Sequence, residues 1–263
     1  MDIRRFPGTR LATWVFFLYL YLPIVILIVL SFNENRSATI WTGFTTDWYA
    51  RVLDNKDILN AAKNSLIVAL WATVIATCAA TFAALGMARR RFKGQTAVAG
   101  VLAMPLVVPE IVTAVASLLF FILVGFDLGL LTVVIAHTVF CIPFAYLPIR
   151  ARIEGMDPRL GEAAADLYAD EMRTFLRVTL PLLWPGILAG AMLAFIISLD
   201  DFVITYFVAG AGATTLPVYI FGAIRIGISP EVNAISSLML IVSLVFVSLS
   251  TLLTWWAGRR GAA

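Results

Sequence analysis

Six stretches of this chain run almost free of polar residues: 11–32, 65–88, 97–124, 128–149, 180–208 and 234–257. Each reaches the roughly 20 apolar residues that a helix needs to cross a hydrocarbon core. The third is interrupted by Pro105, Pro109 and Glu110, and the fifth carries Asp200 and Asp201 near its far end. Between the fourth and fifth lies a charged segment, 154–177, that cannot enter lipid. The pattern predicts an all-α polytopic membrane protein: six transmembrane helices and a helical loop on one face. With no internal repeat and no low-complexity tract, residues 1–263 read as a single transmembrane domain. Arg4, Arg5 and Arg10 before the first stretch invite comparison with a signal peptide. Its apolar run is too long and no small-x-small cleavage site follows, so a retained helix is expected.

Composition agrees with the pattern. The chain is 61% hydrophobic and 13% charged, against about 25% charged in soluble domains. Basic residues then orient it. With the N-terminus inside, the inner segments hold Arg4, Arg5, Arg10, Arg89, Arg90, Arg91, Lys93, Arg150, Arg152, Arg159, Arg173, Arg177, Arg259 and Arg260. The outer segments hold only Arg36, Arg51, Lys56, Lys63 and Arg225. Both termini and the 154–177 loop are therefore expected in the cytoplasm. Outside, 33–64 is polar, with Trp41, Trp48 and Tyr49 at plausible interface depth. The segment 209–233 turns apolar again but is too short to cross twice. A re-entrant or surface-lying path is expected, which is tolerated at membrane depth only where it lines protein or water. Gly210 and Gly212 are read as turn residues. Cys78 and Cys141 lie in apolar runs and offer neither a disulfide nor a metal site.

The charged loop has the local grammar of two short amphipathic helices. Asp157 is a good N-cap, and Pro158 suits a first turn. Ala163, Ala164 and Ala165 favour helix. Leu160, Ala164 and Leu167 share a face, as do Met172, Phe175 and Leu176. Asp170 can cap the second helix. Within this loop Glu162-Ala163-Ala164 is followed, after the spacing of a known signature, by Val178-Thr179-Leu180-Pro181. The arrangement resembles the Glu-Ala-Ala loop of ABC-importer permeases. The resemblance implies that Glu162, Ala163, Ala164, Asp166, Leu167, Tyr168, Leu180 and Pro181 couple the chain to an ATPase. Tyr168 stands where the family has Gly, so either the bend differs or Tyr168 itself meets the partner. The chain has no P-loop of its own, since none of its three lysines follows a Gly. ATP and Mg are expected on a partner chain, with no cofactor, metal or nucleic acid on this one.

Charge inside a span costs about 2.5–3.5 kcal/mol on insertion scales for an Asp at a helix centre. Glu110 falls about 20 Å into the third stretch and Asp200 and Asp201 about 30 Å along the fifth. Adjacent helical positions diverge by about 100°, so only one of the two aspartates can face a cavity squarely. An acidic path without midspan Lys or Arg prefers cations, and Tyr206 and Tyr219 are candidate aromatic contacts along it. His137, the single histidine, reads as a packing or helix–helix hydrogen-bonding residue, and Ser198 as a helix-contact residue.

Ser198-Leu199-Asp200-Asp201-Phe202-Val203-Ile204, Thr214-Thr215-Leu216-Pro217, Ser229-Pro230-Glu231-Val232-Asn233-Ala234, Pro105–Glu110 and Asn64-Ser65-Leu66 resemble the spermidine/putrescine importer permeases. That likeness runs from the first span to the last. It implies a bacterial inner-membrane permease subunit and a small cationic cargo such as putrescine or spermidine. It also implies a homologous second permease, two ATPase subunits and a periplasmic or lipid-anchored solute-binding protein. An ion-coupled secondary transporter would also explain buried carboxylates. It leaves the Glu162 loop without a purpose and lacks paired broken half-repeats. An intramembrane enzyme lacks a catalytic constellation, with one histidine and two distant cysteines.

Overall fold

The computed structural model describes residues 8–37, 40–89, 92–157 and 159–260. Arg4, Arg5, Arg90, Arg91 and Pro158 lie outside the described residues. The described chain is helical: α1 (Thr9–Leu30), α2 (Asp47–Asp54), α3 (Lys56–Arg89), α4 (Gln95–Val107), α5 (Glu110–Val124), α6 (Leu130–Glu154), α7 (Arg159–Asp166), α8 (Glu171–Thr174), a π-helical turn (Phe175–Thr179), α9 (Leu180–Asp200), α10 (Val203–Val208), α11 (Leu216–Ile226) and α12 (Pro230–Arg260). Five helices are long and apolar enough to cross a membrane, or six if the bent pair α4 and α5 counts as one span.

The third expected span breaks where its prolines predict, and the fifth is corrected in form. The third is not a single helix. α4 and α5 meet at an angle of 109°, because Pro109 has no N–H to donate and pushes the residue before it out of the helical region. Val108 is accordingly extended, with ψ 131°. The fifth stretch ends as a helix at Asp200. Asp201 is extended (ψ 126°), and its side chain takes the Thr205 N–H at 3.1 Å, opening α10 as a new helix. A short acidic side chain competing for backbone donors favours such a break.

The chain divides into two compact units. One comprises Met1–Leu59 and Tyr219–Val242. Here Asn33 organises the polar stretch after α1. Its amide donates to Ser37 and Ile40 carbonyls, its side-chain oxygen accepts from Thr42 N–H, and its backbone carbonyl accepts the Trp48 indole N–H at 2.7 Å. Trp48 is thus buried in the protein, while Trp41 is exposed. Phe32 stacks on Phe44 and packs against Tyr49. α11 has 11 residues, too few to span a bilayer, in keeping with the surface-lying or re-entrant path expected there.

The second unit comprises Asn60–Val218 and Ser243–Ala263. Its centre is the antiparallel seam of α6 and α9. Gly186, Gly190, Ala194 and Ser198 recur every four residues along α9 and are all buried. Such a stripe lets helix backbones approach closely. A Cβ on Gly190 would lie 2.5 Å from the Ala145 carbonyl oxygen, and one on Gly186 would lie 2.6 Å from Arg152 Cβ. Arg152 Nε donates to the Leu182 carbonyl at 2.8 Å, and Cys141 Sγ donates to that of Ala194 at 3.6 Å. Apolar side chains close around the seam: Tyr146, Ile149 and Leu183 at one end, and Val133, Phe140, Ile204 and Val208 at the other. Beyond α10, Asn64 donates to the Gly212 and Thr214 carbonyls, and Ser65 Oγ accepts the Leu216 N–H at 2.8 Å. Two of the sequence stretches that carry the resemblance are therefore bonded to each other. Gly212 takes a positive φ of 80°. Gly210 is small for another reason: a Cβ there would strike the Leu128 carbonyl.

Candidate functional site

The two helix breaks meet in the second unit. Pro109 places Glu110 at the first position of α5, where the free N–H groups of a helix start favour a carboxylate. α5 packs against α10, and the Glu110 carboxyl interacts with that of Asp201. Asp201 is buried. Its Oδ1 accepts from Thr205 N–H (3.1 Å) and Thr205 Oγ1 (3.4 Å) and lies 3.2 Å from His137 Nε2. His137, from the middle of α6, is 1% exposed. Its Nδ1 lies 2.8 Å from Ser198 Oγ and its Nε2 lies 2.9 Å from Thr205 Oγ1. Asp201 Oδ2 is buried without a hydrogen-bond partner.

A carboxylate in this setting needs compensation, because burying charge is costly unless it is paired and hydrogen-bonded. Here Oδ1 is held by Thr205 and His137, and the Glu110 carboxyl interacts with the same group. The arrangement presents an acidic acceptor at the junction of four helices, with a second carboxyl, Glu110, beside it. Chemically this can receive a positively charged donor. Ser198, His137 and Asp201 do stand in hydroxyl–imidazole–carboxylate order, but all three are buried away from any substrate, and the described residues contain no group of three or more His, Cys, Asp or Glu placed to hold a metal ion.

The other acidic and aromatic candidates scatter. Asp200 is exposed and accepts from Ser243 of α12 at 3.4 Å, so of the adjacent pair only Asp201 joins the cluster. Tyr206 is half-exposed on α10, its ring 5.3 Å from that of Phe202. Tyr219 belongs to the first unit, where it lines a cavity of about 370 Å³ with Arg36, Ser229 and Glu231. Thr205 and Ser198 were not legible as partners of an acidic site from spacing alone. Their signal is faint: hydroxyls four residues after Asp201 and three before it.

The loop between α6 and α9 folds as two short helices. Asp157 Oδ1 accepts the Arg159 N–H at 2.9 Å at the start of α7, and Asp170 Oδ1 caps α8 through the Arg173 N–H at 2.7 Å. Pro181, second in α9, has no N–H for the preceding turn, and the helix widens into its π turn just there. Leu180 is half-buried and Pro181 exposed at this junction. Glu162, Ala163 and Asp166 are exposed, as are Leu160, Leu167, Tyr168, Met172 and Leu176. Ala164 alone of α7 is buried, so its methyl packs within the loop.

Tyr168 takes a backbone conformation that glycine usually fills. It is the one non-glycine among the described residues with positive φ, at 57°. Its N–H reaches the Ala165 carbonyl (2.9 Å) and the Ala169 N–H reaches that of Ala164 (3.0 Å). This paired pattern is the helix stop usually given to Gly. The bend of the glycine form is kept, at the expense of left-handed strain, and the ring stands 95% exposed. Tyr168→Gly should stabilise the turn by about 1 kcal/mol. The readout is slower hydrogen exchange at the amides of residues 168 and 169. Unchanged exchange would show that the turn carries no such strain.

Residues 76–260 match the family described as binding-protein-dependent transport system inner membrane component. The spermidine/putrescine transport system permease protein PotC of Haemophilus influenzae is 40% identical over 250 residues, covering 95% of this chain and 97% of that protein. The putrescine transport system permease protein PotI of Escherichia coli is 38% identical over 247 residues, 91% of this chain and 88% of that one. Among solved structures, a bacterial ABC transporter involved in the import of the acidic polysaccharide alginate aligns with a TM-score of 0.72 over 92% of this chain and 93% of that one. At 17% identity that likeness is one of fold. The resemblance read from the Glu162 loop and the Ser198–Ile204 stretch is confirmed: the chain belongs to the family of inner-membrane components of binding-protein-dependent transport systems, as a permease subunit and not an enzyme.

Proposed function

We propose that this chain forms half of the translocation path of an ATP-driven importer for a small organic polycation, with putrescine or spermidine as the expected cargo. The observation that carries the cargo class is the buried Asp201 carboxylate with the Glu110 carboxyl beside it. A polyamine carries two or more positive charges, each donating several hydrogen bonds. Two carboxyls offset the loss of water around one such ammonium group, and Tyr206 adds about 0.5–2 kcal/mol where its ring face meets the cation. The names of the 40% and 38% identical relatives support the same cargo.

The other half of the path is a homologous permease. Two ATPase subunits hold ATP and Mg and dock on the α7–α8 loop, and a solute-binding protein delivers cargo on the opposite face. The basic-residue bias puts both termini and this loop in the cytoplasm. The exposed apolar side chains of Leu160, Leu167, Tyr168, Met172 and Leu176, rimmed by Glu162 and Asp166, fit a protein contact better than a solvated turn.

The deciding experiment uses the assembled transporter in proteoliposomes, with the binding protein supplied outside. Glu110→Gln should slow uptake of a dication at limiting cargo on the order of tenfold, about 1.4 kcal/mol. Basal ATPase activity should stay near the parent value. Equal uptake at matched protein levels would return Glu110 to a structural role. Uptake driven by an ion gradient with no ATPase present would overturn the importer reading.

A further inference from the structure

We propose that His137 is a positioning residue for the cargo path, holding the Asp201 carboxylate in place beside Glu110; this rests on the polycation reading above. A neutral imidazole has one donor and one acceptor. An ionised carboxylate only accepts, so the nitrogen facing Asp201 and Thr205, Nε2, carries the proton, and Nδ1 accepts the Ser198 hydroxyl. Nε2–H is shared between Thr205 Oγ1 (2.9 Å) and Asp201 Oδ1 (3.2 Å), and the Thr205 hydroxyl passes its own proton to the same Oδ1 (3.4 Å). Together with the Thr205 N–H this fills one side of the carboxylate, and the Glu110 carboxyl interacts with the same group.

The geometry has a source in the seam. His137 of α6 meets Ser198, the last member of the four-residue stripe Gly186, Gly190, Ala194 and Ser198 on α9. Backbone contact at Gly190 fixes the height of one helix against the other. The imidazole therefore bridges the α6–α9 seam to α10, a six-residue helix beginning just after the break. Such bridging is more than filling space. A leucine of similar bulk would pack as well but would give Asp201 no donor.

The test is cargo dependence of ATP-driven uptake in the assembled transporter, with putrescine as the probe. His137→Leu should raise KM on the order of tenfold while the rate at saturating cargo changes less than about threefold. His137→Gln, which keeps a donor near the position of Nε2, should recover most of the lost KM. In an Asp201→Asn background, His137→Leu should add no further change in KM, because its effect passes through Asp201. If the leucine variant fails to assemble, the Gln variant and the shorter His137→Asn make the same comparison, with Asn the weaker. Equal KM in all forms, or a fall in saturating rate alone, would overturn the positioning role. A parent transporter that takes up no polycation would overturn the cargo reading, and this proposal with it.

Discussion

Ala164→Trp should abolish ATP-coupled uptake while the chain still inserts in the membrane. Ala164 is the buried residue of α7, and its carbonyl accepts the Ala169 N–H that closes the turn. α7 there packs against α8 and the π turn. An indole has no space in that contact. Overpacking costs about 1–3 kcal/mol even in larger cores, and a hairpin of one eight-residue and one four-residue helix has little stability to lose. The loop should open while the spans, which insert by their own hydropathy, remain. Ala163→Trp is the informative neighbour, because Ala163 is exposed. It should leave the loop folded, as read by limited proteolysis, and weaken co-purification of the ATPase. Full uptake in both variants would remove this loop from the coupling path. A loop that opens in Ala163→Trp as well would mean that neither alanine marks a docking face.

Gly190→Val should be the most damaging single change within the spans. A Cβ at Gly190 meets the Ala145 carbonyl oxygen at 2.5 Å and its carbonyl carbon and Cα at 3.3 Å. These are backbone atoms, so no side chain can move aside. α6 and α9 would have to separate along the seam, exposing Cys141, Leu183 and Ala194 to a gap. A loss of about 3 kcal/mol or more is expected, at the upper end for overpacking, and would appear as lower yield and a lower unfolding temperature in detergent. Gly190→Ala should fall between. Any folded Gly190→Val protein should also lose uptake, because the separation carries Ser198 away from His137. Parent-like thermal stability would show that the seam is looser than its geometry implies.

Much of this architecture was legible in the chain because bilayers impose a simple demand. A run of apolar residues long enough to cross can be read directly, and so can Pro109, whose missing N–H must interrupt a helix. Asp170 and Asp157 announced their caps, since a short acidic side chain before a helical run has few other uses. The break at Asp201 was hidden, because the apolar pattern continues through Val203–Val208 without a change of period. Ala164 and Ala163 look identical in sequence, and only packing separates the buried one from the exposed one. The pairing of His137 with Ser198 and Thr205 joins positions 61 and 68 residues away. Local pattern carries no record of contacts at that range.

α8, the π turn and α9 form one uninterrupted helical run of 30 residues, Glu171–Asp200. At 1.5 Å per residue it is a strut about 45 Å long, and a tilt of about 5° about its middle swings each tip by about 2 Å. One tip follows directly on the Tyr168 turn, and the other ends beside Asp201. A helix neither stretches nor compresses appreciably, so a push on the first tip must arrive at the second as displacement of the same order. Two ångströms separate a hydrogen bond from no bond at all. Where the π turn and Pro185 do not absorb the motion, a partner's movement at one face would reach the acidic acceptor without touching it.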